Sequence, residues 1–215
     1  MDAVRVALLR EVLAGTEWPG AARRFAGALR SSVLPHGGGL LLVGTAEYEP
    51  WHLAAHLVDE AAWSGTPELT PTLVRHGASA SAPAHLAVGL GRIEAARRGE
   101  TLLVVAPGTP EAPLLERVHD ARRGGVVVLA LGAGGGELRG LAHESLAVPA
   151  VGVDAGVGAG DGVGDGVGLD LDTVQHLVSA AAGEGVVPGV RGRRRFRDRL
   201  SRLTDSLTAP PRVRW

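Results

Sequence analysis

The segment that most constrains the fold is a strand, a helix and a second strand in the middle of the chain, within residues 99–149. An apolar run at 101–105 leads through a turn at 106–111 into a helical stripe, and a second apolar run follows at 126–131. Neither run alternates between apolar and polar residues, which is typical of strands buried on both faces of a parallel sheet. The segment therefore predicts a right-handed β-α-β unit within an α/β layer structure.

Three further short apolar runs extend this unit to a five-stranded parallel sheet with helices on both faces. The predicted strands are 40–43, 72–75, 101–105, 126–131 and 145–148. Apart from the helix that ends at Gly124, the predicted helices are 2–14, 20–34, 50–63, 84–98, 136–143 and 170–182. Trp18-Pro19-Gly20 is predicted to separate the first two helices, because Pro and Gly disfavour a helix interior. The pattern predicts a three-layer αβα fold.

The composition is that of one globular domain. Hydrophobic residues make up 45% of the 215 residues, enough for one core, and the absence of Cys excludes disulfides and thiolate metal sites. No apolar run approaches the ~20 residues of a membrane span. Residues 1–15 carry two Arg, one Asp and one Glu, which is not typical of a signal peptide. We therefore expect a protein of the bacterial cytoplasm with no membrane association.

The C-terminal tail, residues 190–215, is strongly basic. Residues 191–215 hold nine Arg and two Asp, a net charge of +7, whereas residues 1–190 hold thirteen Arg and 21 acidic residues, a net charge of −8. One apolar stripe runs along the tail: Phe196, Leu200, Leu203 and Leu207. The tail is therefore predicted to form a basic amphipathic helix that docks on the acidic core of its own or a second subunit. A partner protein and nucleic acid are the alternative targets.

Residues 151–168 form a Gly-rich, low-complexity stretch in which eight of eighteen residues are Gly. Because Gly loses much conformational entropy on ordering, this stretch is predicted to be a flexible insert. It interrupts the main domain, which we place at 36–183. Residues 1–35 are assigned to the N-terminal helices.

The order and spacing of several motifs resemble the SIS (sugar isomerase) domain family, most of all its phosphoheptose isomerase and initiator-associating branch. The resemblance covers residues 18–183 and includes a Gly-rich run into the first strand at 37–44, the 99–149 segment and an Asp-x-x-Gln at 172–175. It implies a flavodoxin-like or Rossmann-like sheet of strand order 2-1-3-4-5. It also implies a homo-oligomer, dimer or tetramer, in which the N-terminal helices form subunit contacts. Packing of those helices within one chain is an equal alternative.

This strand order would place a ligand site beyond the carboxyl ends of the first and third strands, at the turns 44–49 and 106–111. Both turns lead into helix N-termini, which favour anions, and the family binds phosphosugars there. The candidate ligand-binding residues are Thr45, Glu47, Gly108, Thr109, Glu111, Asp172 and Gln175.

Three carboxylates oppose phosphate binding at these turns. Glu47, Glu49 and Glu111 stand where the family has Gly-, Ser- and Thr-rich loops. A carboxylate satisfies a helix dipole and repels an incoming phosphate, so we predict a degenerate phosphate site. The alternative is that these side chains only cap two helices, just as Asp172 and Gln175 would form a capping box.

The helix that follows the first turn carries His52, His56 and Glu60 at positions i, i+4 and i+8. The resemblance makes His56 a metal ligand and Glu60 a ligand or catalytic base, with two extra residues in the preceding loop. These three residues are the candidate metal site, with Zn²⁺ the expected ion. A solvated helix face is the alternative. Gly183 replaces the second His of the isomerases, so the acid–base pair of an isomerase is incomplete.

These features favour a non-catalytic SIS-like binding, regulatory or assembly module for a carbohydrate derivative or a protein partner. The alternatives are a phosphoheptose-type sugar-phosphate isomerase and a DNA-associated regulator.

Overall fold

The computed structural model describes residues 3–33, 38–78, 81–133, 135–149 and 168–184. The chain divides into one unit over Met1–Gly183 and a second over Glu184–Trp215. The predicted basic helix, and the Gly-rich insert apart from its last residue, lie outside the described residues.

Five parallel strands form one sheet in the order β2-β1-β3-β4-β5. The strands are β1 (Leu40–Val43), β2 (Pro71–Val74), β3 (Thr101–Ala106), β4 (Val127–Gly132) and β5 (Glu144–Ala147). Each predicted strand is confirmed to within one residue at either end. The strand order is the one that the resemblance implied, so β1 and β3 are adjacent at the centre.

Seven α-helices connect or flank the strands in the described part of the chain. They are α1 (Ala3–Val12), α2 (Trp18–Val33), α3 (Trp51–Ser64), α4 (Gly91–Glu94), α5 (Ala112–Arg123), α6 (Gly136–Leu141) and α7 (Leu171–Gly183). Two short 3₁₀ turns lie at Pro67–Leu69 and Ala84–Leu86. Within the described ranges, no helix has the length and apolar character needed to span a membrane.

Two apolar cores lie on opposite faces of the sheet. Leu40 and Leu42 of β1 belong to the core that contains residues of α2, α3 and α7. Leu41 and Val43 belong to the core that contains residues of α4, α5 and α6. Because side chains alternate between faces along a strand, a strand covered on both sides must be apolar at every position. The fold is therefore a three-layer αβα sandwich.

Two sequence predictions about helices are wrong. The helix predicted over 84–98 is reduced to α4 and the short 3₁₀ turn before it. Arg75 N donates to Val88 O at 2.9 Å, and Arg75 forms a parallel bridge with Gly89 beside the end of β2. This stretch therefore extends the sheet edge, and Gly89 and Gly91 disfavour a continuous helix there.

The predicted break at Trp18-Pro19-Gly20 is also wrong, since these residues open α2. Pro is tolerated in the first helical turn because its missing N–H would have no intrahelical partner there. Phe25, Leu29 and Val33 of α2 are buried in the core with α7, so this helix packs within its own chain. Subunit contact through the N-terminal helices stays a prediction.

We expect Gly132→Ala to destabilise the fold, because Gly132 has φ +123° and an added Cβ would lie 2.1 Å from Ala106 O. A strained backbone conformation alone costs about 1–3 kcal/mol, and the steric contact adds to it. Chemical denaturation should show the loss as a lower midpoint. Gly140→Ala, where an added Cβ meets no atom within 4 Å, is the matched control and should be neutral or stabilising. Equal midpoints for the two variants would contradict the close approach of position 132 to Ala106 O.

Candidate functional site

The loops at 44–50 and 106–111, called the switch-point loops below, follow the two central strands at the carboxyl edge of the sheet. The loop after β1 leads into α3, which covers one face, and the loop after β3 leads into α5, which covers the other. Two neighbouring parallel strands whose connections diverge in this way form the usual ligand position in an open α/β sheet.

The first switch-point loop is a tight turn. Thr45 N donates to Tyr48 O at 2.9 Å, and Tyr48 N donates to Thr45 O at 3.2 Å. A Cβ at Gly44 would lie 1.7 Å from Tyr48 O, so only Gly fits there. Thr45 is buried beneath the turn, whereas Glu47 is exposed at its tip. Of these two predicted ligand-binding residues, only Glu47 offers its side chain to solvent.

Glu49 is used within the protein. Arg75 Nε lies 3.0 Å from Glu49 Oε2, and Trp51 Nε1 donates to the same oxygen at 2.9 Å. The guanidinium of Arg75 also lies 5.0 Å from the centre of the Trp51 ring, a cation–π distance. This carboxylate therefore ties the loop before α3 to the end of β2.

The Glu111 side chain bridges the two switch-point loops. Its Oε1 accepts a hydrogen bond from Ala46 N at 3.2 Å. The start of α5 has few amides left for another anion, since Pro113 has no N–H and Leu114 N donates to Glu111 O at 3.0 Å. The carboxylate of Glu111 thus accepts the hydrogen bond of the Ala46 amide, and a backbone amide is the kind of donor that a phosphate would use.

Gly108 and Thr109 are exposed in the second switch-point loop. A Cβ at Gly135 would lie 3.2 Å from Thr109 Oγ1, so the Thr109 hydroxyl approaches the loop between β4 and α6. The structure therefore brings Glu111 and the first loop together, while Thr109 faces the neighbouring loop.

Asp170 caps α7, in place of the predicted capping box of Asp172 and Gln175. Its Oδ1 accepts from Thr173 N at 2.7 Å and its Oδ2 from Thr173 Oγ1 at 3.0 Å. These hydrogen bonds, led by that from the Thr173 amide, hold the pKa of Asp170 below its ordinary value. The capping-box alternative is wrong because α7 begins at Leu171, which makes Asp170 its N-cap.

Gln175 and Asp172 instead form a network with Tyr48. Gln175 is fully buried, and its Nε2 donates to Tyr48 Oη at 2.8 Å and to Asp172 Oδ1 at 3.2 Å. Tyr48 Oη donates to Asp172 Oδ1 at 3.4 Å. Burial is the main cause that raises the pKa of Tyr48. Sequence reasoning missed Tyr48. Its signal was that the only Tyr of the chain lies within a switch-point loop.

Three imidazole rings meet where α3 packs against α7. The ring centres of His52 and His56 lie 4.5 Å apart, and His176 lies 4.5 Å from the first and 4.3 Å from the second. Burial, followed by the neighbouring rings of His176 and His52, lowers the pKa of His56 to about 4. Sequence reasoning missed His176, because the position of this residue in the sequence does not show that its ring meets the two histidines of α3.

Glu60 lies outside this cluster of rings. It is 5% exposed, and a Cβ at Gly183 would lie 1.9 Å from its Oε2. Of the predicted metal set His52, His56 and Glu60, the structure therefore brings the two histidines together, whereas Glu60 is not part of their group. Gly183, which stands at the position of the second His that the resemblance implies, has no side-chain ligand atom.

No family model and no curated protein matches this chain. Among solved structures, it is similar to the sugar isomerase domain of the RpiR transcription factor from Sphaerobacter thermophilus, at 18% identity and a TM-score of 0.45, over 84% of this chain and 86% of that chain. It is also similar to a provisionally assigned sugar binding protein from Salmonella typhimurium LT2, at 11% identity and a TM-score of 0.42. That match covers 87% of this chain but only 55% of the other protein.

We expect Asp170→Ala to lower the free energy of unfolding by about 0.5–2 kcal/mol, the usual cost of losing an N-cap. The pKa of Asp170 is depressed below the ordinary 3.8, so its contribution is complete at neutral pH and disappears as the pH falls through the folded value. The difference in melting temperature between the two proteins should therefore shrink in acid.

Asp170→Asn is the matched control for this cap, because Asn caps helices about as well as Asp. It should stay close to the parent protein at pH 7. An Asp170→Ala protein that melts with the parent at pH 7 would contradict the assignment of the cap.

Proposed function

We propose that the protein is a non-catalytic, SIS-type binding module for a carbohydrate derivative. The bound derivative carries no phosphate monoester group at the switch-point loops. One observation carries this proposal, namely the hydrogen bond from Ala46 N to the Glu111 carboxylate between the two loops. The donor that would meet a phosphate is satisfied by a side chain of the protein itself.

The charges around the loops argue in the same direction. Glu47, Glu49 and Glu111 supply three carboxylates, and Arg75 is paired with Glu49. Two like unit charges ~4 Å apart repel by about 1 kcal/mol in water and about 4 kcal/mol near a protein surface. A phosphate dianion would meet that repulsion beside Glu111, whereas a neutral sugar would not.

The exposed groups near the loops suit a neutral polyol. Glu47 and Asp172 are exposed carboxylates, and Thr109 is an exposed hydroxyl. Carboxylates accept hydrogen bonds and cannot donate them, so they favour ligands rich in O–H donors. Sugar hydroxyls are such donors, and a charge-assisted hydrogen bond to an ionised carboxylate is stronger than one between neutral groups.

The arrangement at Glu60 argues against the isomerase alternative. Moving a proton between adjacent carbons needs a positioned acid and base within reach of the substrate. Glu60, the candidate base, is 5% exposed and packs against Gly183, the position at which the isomerases carry their second His. The regulator alternative depends on the Arg-rich tail, which lies outside the described residues.

The test compares the full-length protein with sedoheptulose 7-phosphate and with sedoheptulose, measuring isomerisation by NMR and affinity by calorimetry. We expect no isomerisation and no gain in affinity from the phosphate group. Glu111→Ser should raise the affinity for the phosphorylated sugar by at least about fivefold, because it removes a repulsion of about 1 kcal/mol or more and frees the Ala46 amide.

Glu116→Ser is the matched control, because it removes the same charge from an exposed position on α5, the helix that follows Glu111. Its effect on the phosphorylated sugar should be less than about twofold, since screening weakens charges that are not adjacent. Turnover by the parent protein would contradict the non-catalytic assignment. An unchanged affinity in Glu111→Ser would contradict the role of that carboxylate.

A further inference from the structure

The three imidazoles at the contact of α3 and α7 place their nitrogens within reach of one another. One ring nitrogen each from His52, His56 and His176 lies within 4.8 Å of the other two. His52 and His56 share one face of α3 because they are four residues apart, and α7 supplies the third ring. The arrangement therefore requires the tertiary packing of two helices.

His56 is the member of this cluster whose polar atoms need an explanation. Both of its ring nitrogens are shielded from solvent, and neither has a hydrogen-bond partner within the described ranges. Buried polar atoms without a partner are rare in folded proteins, and an ion or an ordered water is a common reason for them.

We propose that His52, His56 and His176 form a binding site for a divalent transition-metal ion, with Zn²⁺ as the preferred ion. Imidazole nitrogens bind Zn²⁺ at ~2.0–2.1 Å, so three of them in a tetrahedral centre lie about 3.4 Å apart. The nitrogens now lie within 4.8 Å of one another. Rotation of the exposed His52 and the half-buried His176 side chains would bring them to the shorter distance that the ion requires. The fourth position is then filled by water or by a ligand oxygen.

This site differs from the set that the family resemblance implied. It shares His52 and His56 with the metal set predicted from the sequence, and His176 takes the place of Glu60. The three nitrogens also distinguish it from sites of the hard ions Mg²⁺ and Ca²⁺, which prefer oxygen ligands. A borderline-soft ion such as Zn²⁺ matches an all-imidazole set.

The first experiment uses the full-length chain without a polyhistidine tag, stripped with a chelator and dialysed against Zn²⁺. We expect about one equivalent of Zn²⁺ per chain by elemental analysis, as a three-His site with an open position holds a single ion. Replacement by Co²⁺ should give the visible absorption of a four-coordinate centre. Retention of less than about a tenth of an equivalent would overturn the proposal.

The second experiment measures Zn²⁺ affinity in variants. His52→Ala and His176→Gln should each weaken binding by at least about tenfold, as expected for the loss of one of three ligands. His52 is exposed and Ala favours helix, so this variant keeps its fold and isolates the ligand. His119→Ala, which removes a half-exposed His from α5, is the matched control and should bind as the parent does.

Wild-type affinity in His52→Ala, or an equal loss in His119→Ala, would refute the assignment of these ligands. The result is independent of the sugar experiments, because neither Glu111 nor Glu116 belongs to the three-His cluster.

Discussion

Every residue of β1 and of β3 is buried, because one layer of helices covers each face of the sheet at these strands. The amides of the strands are then satisfied by their neighbours in the sheet, which leaves the loops at the strand ends as the places where polar groups can act. Since α3 and α5 lie on opposite faces, the two switch-point loops diverge from adjacent strands. The polar features argued above, from Glu111 to the three imidazoles, lie at those loops or on helices that start from this edge of the sheet.

The polar side chains at the contact between α3 and α7 form two sets with different roles. Toward the C-terminal ends, the Glu60 carboxylate occupies the space that a side chain at position 183 would need. Glycine is well tolerated at this last residue of α7, and it lets the two helices pack around a buried carboxylate. Toward the N-terminal ends, His52, His56 and His176 meet with nitrogens in reach of one another. The Glu60 carboxylate is buried between the two helices and contributes to their packing. The three imidazoles include the exposed His52, so they remain accessible to an ion.

The parts of this structure that sequence reasoning recovered are those whose cause is local. A strand buried on both faces must be apolar throughout, so β1, β3 and β4 were predictable to within one residue from unbroken apolar runs. The edge strands β2 and β5, which are only partly buried, were predictable from shorter apolar runs. The helix predicted at 84–98 failed because its apolar spacing is compatible with a chain that pairs Arg75 with Gly89 at a sheet edge. Asp170 was missed as a cap because Asp172, two residues later, offers the same chemistry in a capping-box spacing. His176 was missed because its partners are more than a hundred residues away, and only helix packing selects them.

The electrostatics of the three-imidazole cluster can be weighed by magnitude. His52 lies in the first turn of α3, where the partial positive charge of the helix disfavours a cation by about 0.3–1 kcal/mol. Structural Zn²⁺ sites contribute on the order of 10–16 kcal/mol, so metal–nitrogen bonds outweigh the dipole by a wide margin. The three imidazoles alone would therefore hold the proposed ion against the dipole.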